Sequence, residues 1–196
     1  GPFAVGRWAR KEAAAHPDRA AVSAKSWLCD RRDVRLPEGT DWGGLAPEKA
    51  STLILEHLLK AWEESSGAKR SELKKLVLTV PASFDPLARE LTEKAAHDAG
   101  VQNLTLLEEP LAAFYAWLAA NEKSWNKSLA IGDLVLICDV GGGTCDLSLI
   151  AVLEEQGQLQ LERIAVGRHL LLGGDNMDLA LAHLLKEQQP SIDAWQ

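Results

Sequence analysis

The chain has 196 residues, 21 Lys and Arg against 28 Asp and Glu (net −7), 46% hydrophobic residues and 25% charged ones. These figures exclude wholesale disorder and leave material for a real apolar core. The acidic balance argues against a nucleic-acid or membrane-surface binder, either of which needs a basic face. The longest apolar run, Leu111–Ala120, has ten residues, half of the ~20 that a spanning helix needs. Cys29, Cys138 and Cys145 are the only cysteines and show no CxxC spacing. They give neither a disulfide framework nor a cysteine zinc site and fit a reducing cytoplasm. No secretory leader pattern opens the sequence, so a cytoplasmic location is expected.

In chain order, Arg7–Ala15 reads as a short helix and Ala20–Leu28 as a strand or extended piece. Residues 31–44 collect charges, Pro37 and three glycines, the composition of an exposed connection. A strong helix is predicted from Pro47 to about Ser65. Proline suits its first position, Glu48 its first turn and Gly67 its end. Its buried stripe is read as Ala50, Leu53, His57, Leu58, Ala61 and Trp62. From residue 72 strands and helices alternate: strand Lys75–Val80, a helix capped by Asp85 and ending at Gly100, and strand Leu104–Leu107. The next helix, Pro110–Asn121, is apolar on nearly every face and expected to be buried. Leu134–Asp139, Asp146–Leu153 and Leu159–Val166 look like an antiparallel meander, and a helix from Asn176 to about Gln188 follows. The fold class is α/β with a mixed sheet. Three stretches are distinguished: 1–71, 72–130 and 131–196.

The most informative segment is Asp139-Val140-Gly141-Gly142-Gly143-Thr144-Cys145-Asp146. Flanking strands make the glycines a hairpin tip. Three successive glycines let backbone N–H groups converge as an anion nest for phosphate, and Thr144 adds a hydroxyl. Asp139 and Asp146 place two carboxylates beside it, which suits a hydrated Mg²⁺ bridging to phosphate oxygens. The bland alternative is a glycine-rich turn between two solvated aspartates. The loop joins two strands, so it is neither a Walker loop nor a dinucleotide fingerprint. Gly173-Gly174 forms a second candidate nest at a helix start, with Asp175 beside it as a possible cap. The five histidines, His16, His57, His97, His169 and His183, show no metal spacing. His57 is read as a packing residue and the rest as surface. Cys138 and Cys145 read as small buried residues. The seven tryptophans, Trp42 and Trp195 among them, suit core and partner contact, lacking the basic interleaving of nucleic-acid platforms.

These segments carry a resemblance. Val5-Gly6…Ala9-Arg10, Ser23–Leu28, Leu78–Phe84, Leu107–Ala113, Asp139–Asp146 and Leu172–Asp178 follow one another as in the actin-like ATPase superfamily. Within it, the chain most resembles the DnaK-type seventy-kilodalton heat-shock chaperones. That resemblance implies an actin-like (ribonuclease H-like) fold, most of lobe I and the start of lobe II. It implies ATP or ADP with Mg²⁺ as cofactors, and hydrolysis coupled to binding and release of unfolded client peptides. A J-domain co-chaperone and a nucleotide-exchange factor are the implied partners. Lys25 matches the family's lysine at the γ-phosphate and attacking water, where an ammonium offsets developing charge. Glu109 matches the glutamate near Mg²⁺ and that water, and Pro110 is read as holding it extended. Asp139 and Thr144 complete the implied catalytic set. Gly141–Gly143, Gly173, Gly174 and Asp175 are implied in nucleotide binding. Pro81 and Arg89 match a relay that reports nucleotide state.

The match also has departures. A first phosphate hairpin is expected before Val5, and an adenosine-binding helix after Asp178. Residues between Lys25 and the Pro47 helix are fewer than the family carries, so the small subdomain is expected to be trimmed. With one phosphate loop where two are needed, the chain alone is expected to bind nucleotide weakly and hydrolyse none. The alternatives are an MreB-like filament protein and a degenerate actin-fold interaction module.

Overall fold

The computed structural model describes residues 3–30, 32–37, 39, 41, 43–168 and 170–189. Expectations for Trp42, His169 and Trp195 lie outside them. Two compact units form, one on residues 1–80 and 84–107, the other on 81–83 and 108–196.

In the first unit, helix α1 spans Arg7–Ala15 as expected. The expected strand over Ala20–Leu28 is overturned. Ser23 takes a left-handed conformation (φ 54°) and α2 follows at Ala24–Trp27. Burial explains the switch, because α2 turns Ala24 into a cluster with Val34, Leu36 and Ala50. The connection after it is correspondingly less exposed than its composition suggests. Val34 and Leu36 are buried, and Leu36 and Leu45 exchange both backbone hydrogen bonds (2.9 and 2.8 Å).

Helix α3, Pro47–Ser66, has the expected bounds and a different buried stripe. Pro47, Ala50, Thr52 and Leu59 are buried, whereas His57 is exposed and Leu58 is 57% exposed. The Thr52 hydroxyl donates to Glu48 O at 2.9 Å, so this polar residue enters the core satisfied. Across from α3 lies α4, Pro86–Asp98, which presents the small buried residues Ala88, Ala95 and Ala96. Leu59, Ala96, Ala99 and Val101 form one cluster of this unit. Val80, Phe84, Ala88 and Leu28 form another. Strands β1 (Leu76–Val80) and β2 (Leu104–Glu108) pair as a two-stranded sheet, with Leu76 N–H donating to Asn103 O at 2.9 Å. Helix α4 is the crossover between them.

In the second unit, β3 (Leu134–Val140), β4 (Cys145–Glu155) and β5 (Gln158–Val166) form the expected antiparallel meander in the order β3-β4-β5. The single mixed sheet expected from the sequence is thus two separate sheets among the described residues. One face of the meander packs Val135, Ile137, Ile150, Val152, Leu159 and Leu161 with Phe114 and Leu129. Helix α5, Glu109–Ala120, covers that face but is not wholly buried. Only Pro110 and Phe114 are, while Tyr115 and Trp117 stay exposed. A helix on one side of a small sheet has a single face to bury, however apolar its sequence. The opposite sheet face carries exposed Leu134, Leu136 and Val140, and helix α6, Gly174–Gln188, buries no residue. Cys138 lies on that open face and is exposed, with Cys145 half-buried, correcting the expectation of two buried cysteines. No helix among the described residues is long and apolar enough to cross a membrane.

Asp85 caps α4 as the sequence indicates, its carboxylate accepting from Ala88 N–H at 2.9 Å. Asp85→Ala should lower stability by about 1 kcal/mol and Asp85→Asn by much less. Denaturant unfolding followed by circular dichroism checks this, and an unmoved midpoint in Asp85→Ala would refute it.

Candidate functional site

The β3–β4 register sets Asp139 directly opposite Asp146. Such cross-strand neighbours have Cβ atoms about 5 Å apart, and two like charges so placed repel. Strand alternation puts both on the face of Ile137, Ser148 and Ile150, the face that α5 covers. Asp139 is exposed and has no side-chain partner among the described residues.

Between them, residues 141–144 form the hairpin tip. Gly141 N–H donates to Thr144 O at 2.8 Å and closes it. After β5 the chain returns along β4, with Gly167 N–H on Leu147 O (2.8 Å) and Cys145 bridged to Leu170. That return delivers the start of α6 to the tip. Gly174 N–H donates to Gly141 O at 3.0 Å and Asp175 N–H to Gly142 O at 2.7 Å. Two amides that a helix N-terminus leaves without partners are thereby satisfied. Gly173 N–H is held by Asn176 Oδ1 at 2.9 Å, so the cap at this helix start is Asn176 rather than Asp175. A Cβ on Gly173 would stand 2.5 Å from both Gly141 O and Gly142 O, so the close approach admits only glycine.

Peptide planarity then decides where the remaining donors point. In a trans peptide the C=O and the following N–H point in opposite directions. Gly141 O and Gly142 O face α6, so the N–H groups of Gly142 and Gly143 face away from it. Neither these two amides nor that of Thr144 has an acceptor among the described residues. Three successive unspent donors beside two facing carboxylates fit a phosphate oxygen and a hydrated divalent cation. The described residues contain no group of three His, Cys, Asp or Glu able to cage a metal. A hydrated Mg²⁺ takes few direct protein ligands, and a pair of carboxylates is what Asp139 and Asp146 offer. Gly173, Gly174 and Asp175, expected to meet nucleotide, have their amides committed within the protein, those of Gly174 and Asp175 to the hairpin carbonyls.

Glu109 is the first residue of α5. The extended residue is its neighbour Glu108 (φ −69°, ψ 134°), one position earlier than the proline argument places it. Pro110 sits inside the first turn, where its missing N–H costs no hydrogen bond. Pro81 is buried. Lys25 and Arg89 belong to the other unit. There Lys25 lies on α2 and is exposed, while half-buried Arg89 donates its Nε to Phe84 O at 3.4 Å.

The family model described as Hsp70 protein matches residues 5–194. The chain belongs to the Hsp70 family. Its residues are Hsp70-type nucleotide-binding-domain sequence, and its α/β architecture with small sheets is compatible with the actin-like ATPase fold.

Two features of this Hsp70 chain were missed in the sequence. One is the bonding of the hairpin carbonyls to α6, whose only trace is a glycine pair followed by Asn176. The other is an ion pair between Arg163 and Glu108. Its trace is an arginine in the core-facing row Leu159-x-Leu161-x-Arg163, where a charge demands a partner.

Gly173→Ala should destabilise the protein by roughly 1–3 kcal/mol through the forced clash and expose the Gly174 and Asp175 amides to exchange. Gly143→Ala, which meets nothing within 4 Å, should be near neutral. Thermal unfolding with residue-resolved hydrogen exchange reads both. Equal tolerance of the two alanines would refute the close-approach argument.

Proposed function

We propose that this chain supplies the phosphate- and Mg²⁺-facing part of an Hsp70-type ATPase site. In the full protein that site would drive binding and release of unfolded client peptides. The observation that supports this reading is the hairpin tip, with three unspent amides beside the facing pair Asp139 and Asp146. Gly142, Gly143 and Thr144 N–H would hold phosphate oxygens, with the Thr144 hydroxyl as a further donor. Asp139 and Asp146 would hold Mg²⁺ through its waters, relieving their mutual repulsion. The bound ion would neutralise charge on the phosphate oxygens.

Preorganisation is what the protein adds. The hairpin carbonyls are already bonded to α6, so the donors need no rearrangement to meet charge. By the family resemblance, Lys25 and Glu109 would orient the attacking water, while Pro81 and Arg89 would carry the nucleotide state outward. A J-domain co-chaperone and a nucleotide-exchange factor would act on the full protein. Partial lobe I followed by the start of lobe II remains the reading of how this sequence divides.

Titration of the labelled chain with Mg-ATP tests the site directly. Amide shifts should concentrate at Gly142–Thr144, with dissociation constants of ~1 mM or weaker for the chain alone. Asp139→Asn/Asp146→Asn should abolish the Mg²⁺ dependence of those shifts. Shifts spread elsewhere, or none at saturating nucleotide, would refute the phosphate assignment.

A further inference from the structure

Strand β5 sends Leu159, Leu161 and Arg163 onto the meander face that α5 covers; Arg163 stands directly opposite the fully buried Ile150. A guanidinium in that row requires an acceptor. Glu108 provides it in a two-point fork. Arg163 Nε and Nη2 donate to separate carboxylate oxygens, Nη2 to Oε1 at 3.0 Å. The Glu108 side chain is 13% exposed and that of Arg163 32%. Glu108 is the N-cap residue of α5, yet its carboxylate makes no cap hydrogen bond to that helix and turns to β5. The pair thus fastens the entry to α5 onto the edge strand of the meander whose hairpin carries Asp139 and Asp146. The residue after Glu108 is Glu109.

We propose that Arg163 is a positioning residue for Glu109. By gripping Glu108 at two points it fixes the start of α5 and with it the backbone that carries the adjacent carboxylate. The inference rests on the nucleotide-site reading above for what Glu109 does there. A bidentate guanidinium fixes orientation as well as distance, whereas an ammonium holds one point and leaves the junction free to swivel. Small displacements of a group that orients a reactant cost far more than they cost in stability.

The test compares the wild-type chain with Arg163→Lys, Arg163→Leu, Glu108→Gln/Arg163→Leu and the swapped Glu108→Arg/Arg163→Glu. The Gln/Leu double variant leaves no orphan charge, so it keeps the comparison open if Arg163→Leu alone fails to fold. Hydrogen exchange is read first, without ligand. Amides 112–114, the first in α5 with an acceptor one turn back, should exchange at least about tenfold faster in the two leucine variants, less so in Arg163→Lys, and near the wild-type rate in the swap. The amides of Ile150 and Val152 should not change.

The second readout is the ¹³C shift of labelled carboxyl groups on adding Mg-ATP. In the wild type, Glu109 should respond along with Asp139 and Asp146. In the leucine variants Asp139 and Asp146 should still respond and Glu109 should not. Unchanged exchange at 112–114, or a Glu109 response that survives loss of Arg163, overturns the proposal. If the wild-type aspartates ignore Mg-ATP, the nucleotide reading falls, and the exchange result alone decides whether Arg163 fixes the junction.

Discussion

Everything at the hairpin depends on two backbone hydrogen bonds, Gly174 N–H to Gly141 O and Asp175 N–H to Gly142 O. Each does two things. It satisfies an amide at the α6 N-terminus, and it fixes a peptide plane whose other side then presents an N–H outward. A glycine-rich tip left to itself is the most entropically mobile kind of chain. Here the Gly141, Gly142 and Thr144 carbonyls are spent inside the protein, and the amides of Gly142, Gly143 and Thr144 have no acceptor among the described residues. The approach is close enough that Gly173 has no room for a Cβ. A helix terminus that would ordinarily suit an anion is used here to orient the peptide planes of the hairpin.

What could be read in the sequence follows from how local each cause is. Caps, prolines and strand alternation act within a few residues, and the bounds of α1, α3, the Asp85 cap and the three-stranded meander follow from them. Asp139 opposite Asp146 is also local, because a four-residue tip between two strands fixes its own register. The α2 segment misled, since Ala20–Leu28 has strand-like composition while the burial of Ala24 against Val34, Leu36 and Ala50 favours a turn of helix. The stripe of α3 was misphased for the same reason. Its buried positions meet two different neighbours: Ala50 packs with Ala24, Val34 and Leu36, and Leu59 with Ala96, Ala99 and Val101, which leaves Leu58 in solvent.

Long-range pairing was the least legible. Nothing near Gly173 states that two carbonyls thirty residues upstream will occupy its helix start. The Arg163–Glu108 pair joins positions 55 apart in sequence. In both cases one member looks anomalous alone, a paired glycine before a helix or an arginine in an apolar row. The anomaly marks the place, and only the fold names the partner. The family match adds order across residues 5–194 without specifying these contacts.

The geometry of the meander also decides how Arg163 can act. Asp146 and Ile150 lie four residues apart on β4, which is ~13 Å along a strand, and Arg163 stands beside Ile150. Over that distance a guanidinium and a carboxylate interact by about 0.3 kcal/mol in water and roughly 1 kcal/mol at an intermediate dielectric. Salt reduces this further, since the separation exceeds the screening length of ~8 Å. Direct attraction to the aspartate pair is therefore a minor effect. The two-point contact with Glu108 is short-ranged and half-buried, and it acts on the backbone that begins α5. Any influence of Arg163 at the hairpin face must run through the placement of that helix and of Glu109 at its first turn.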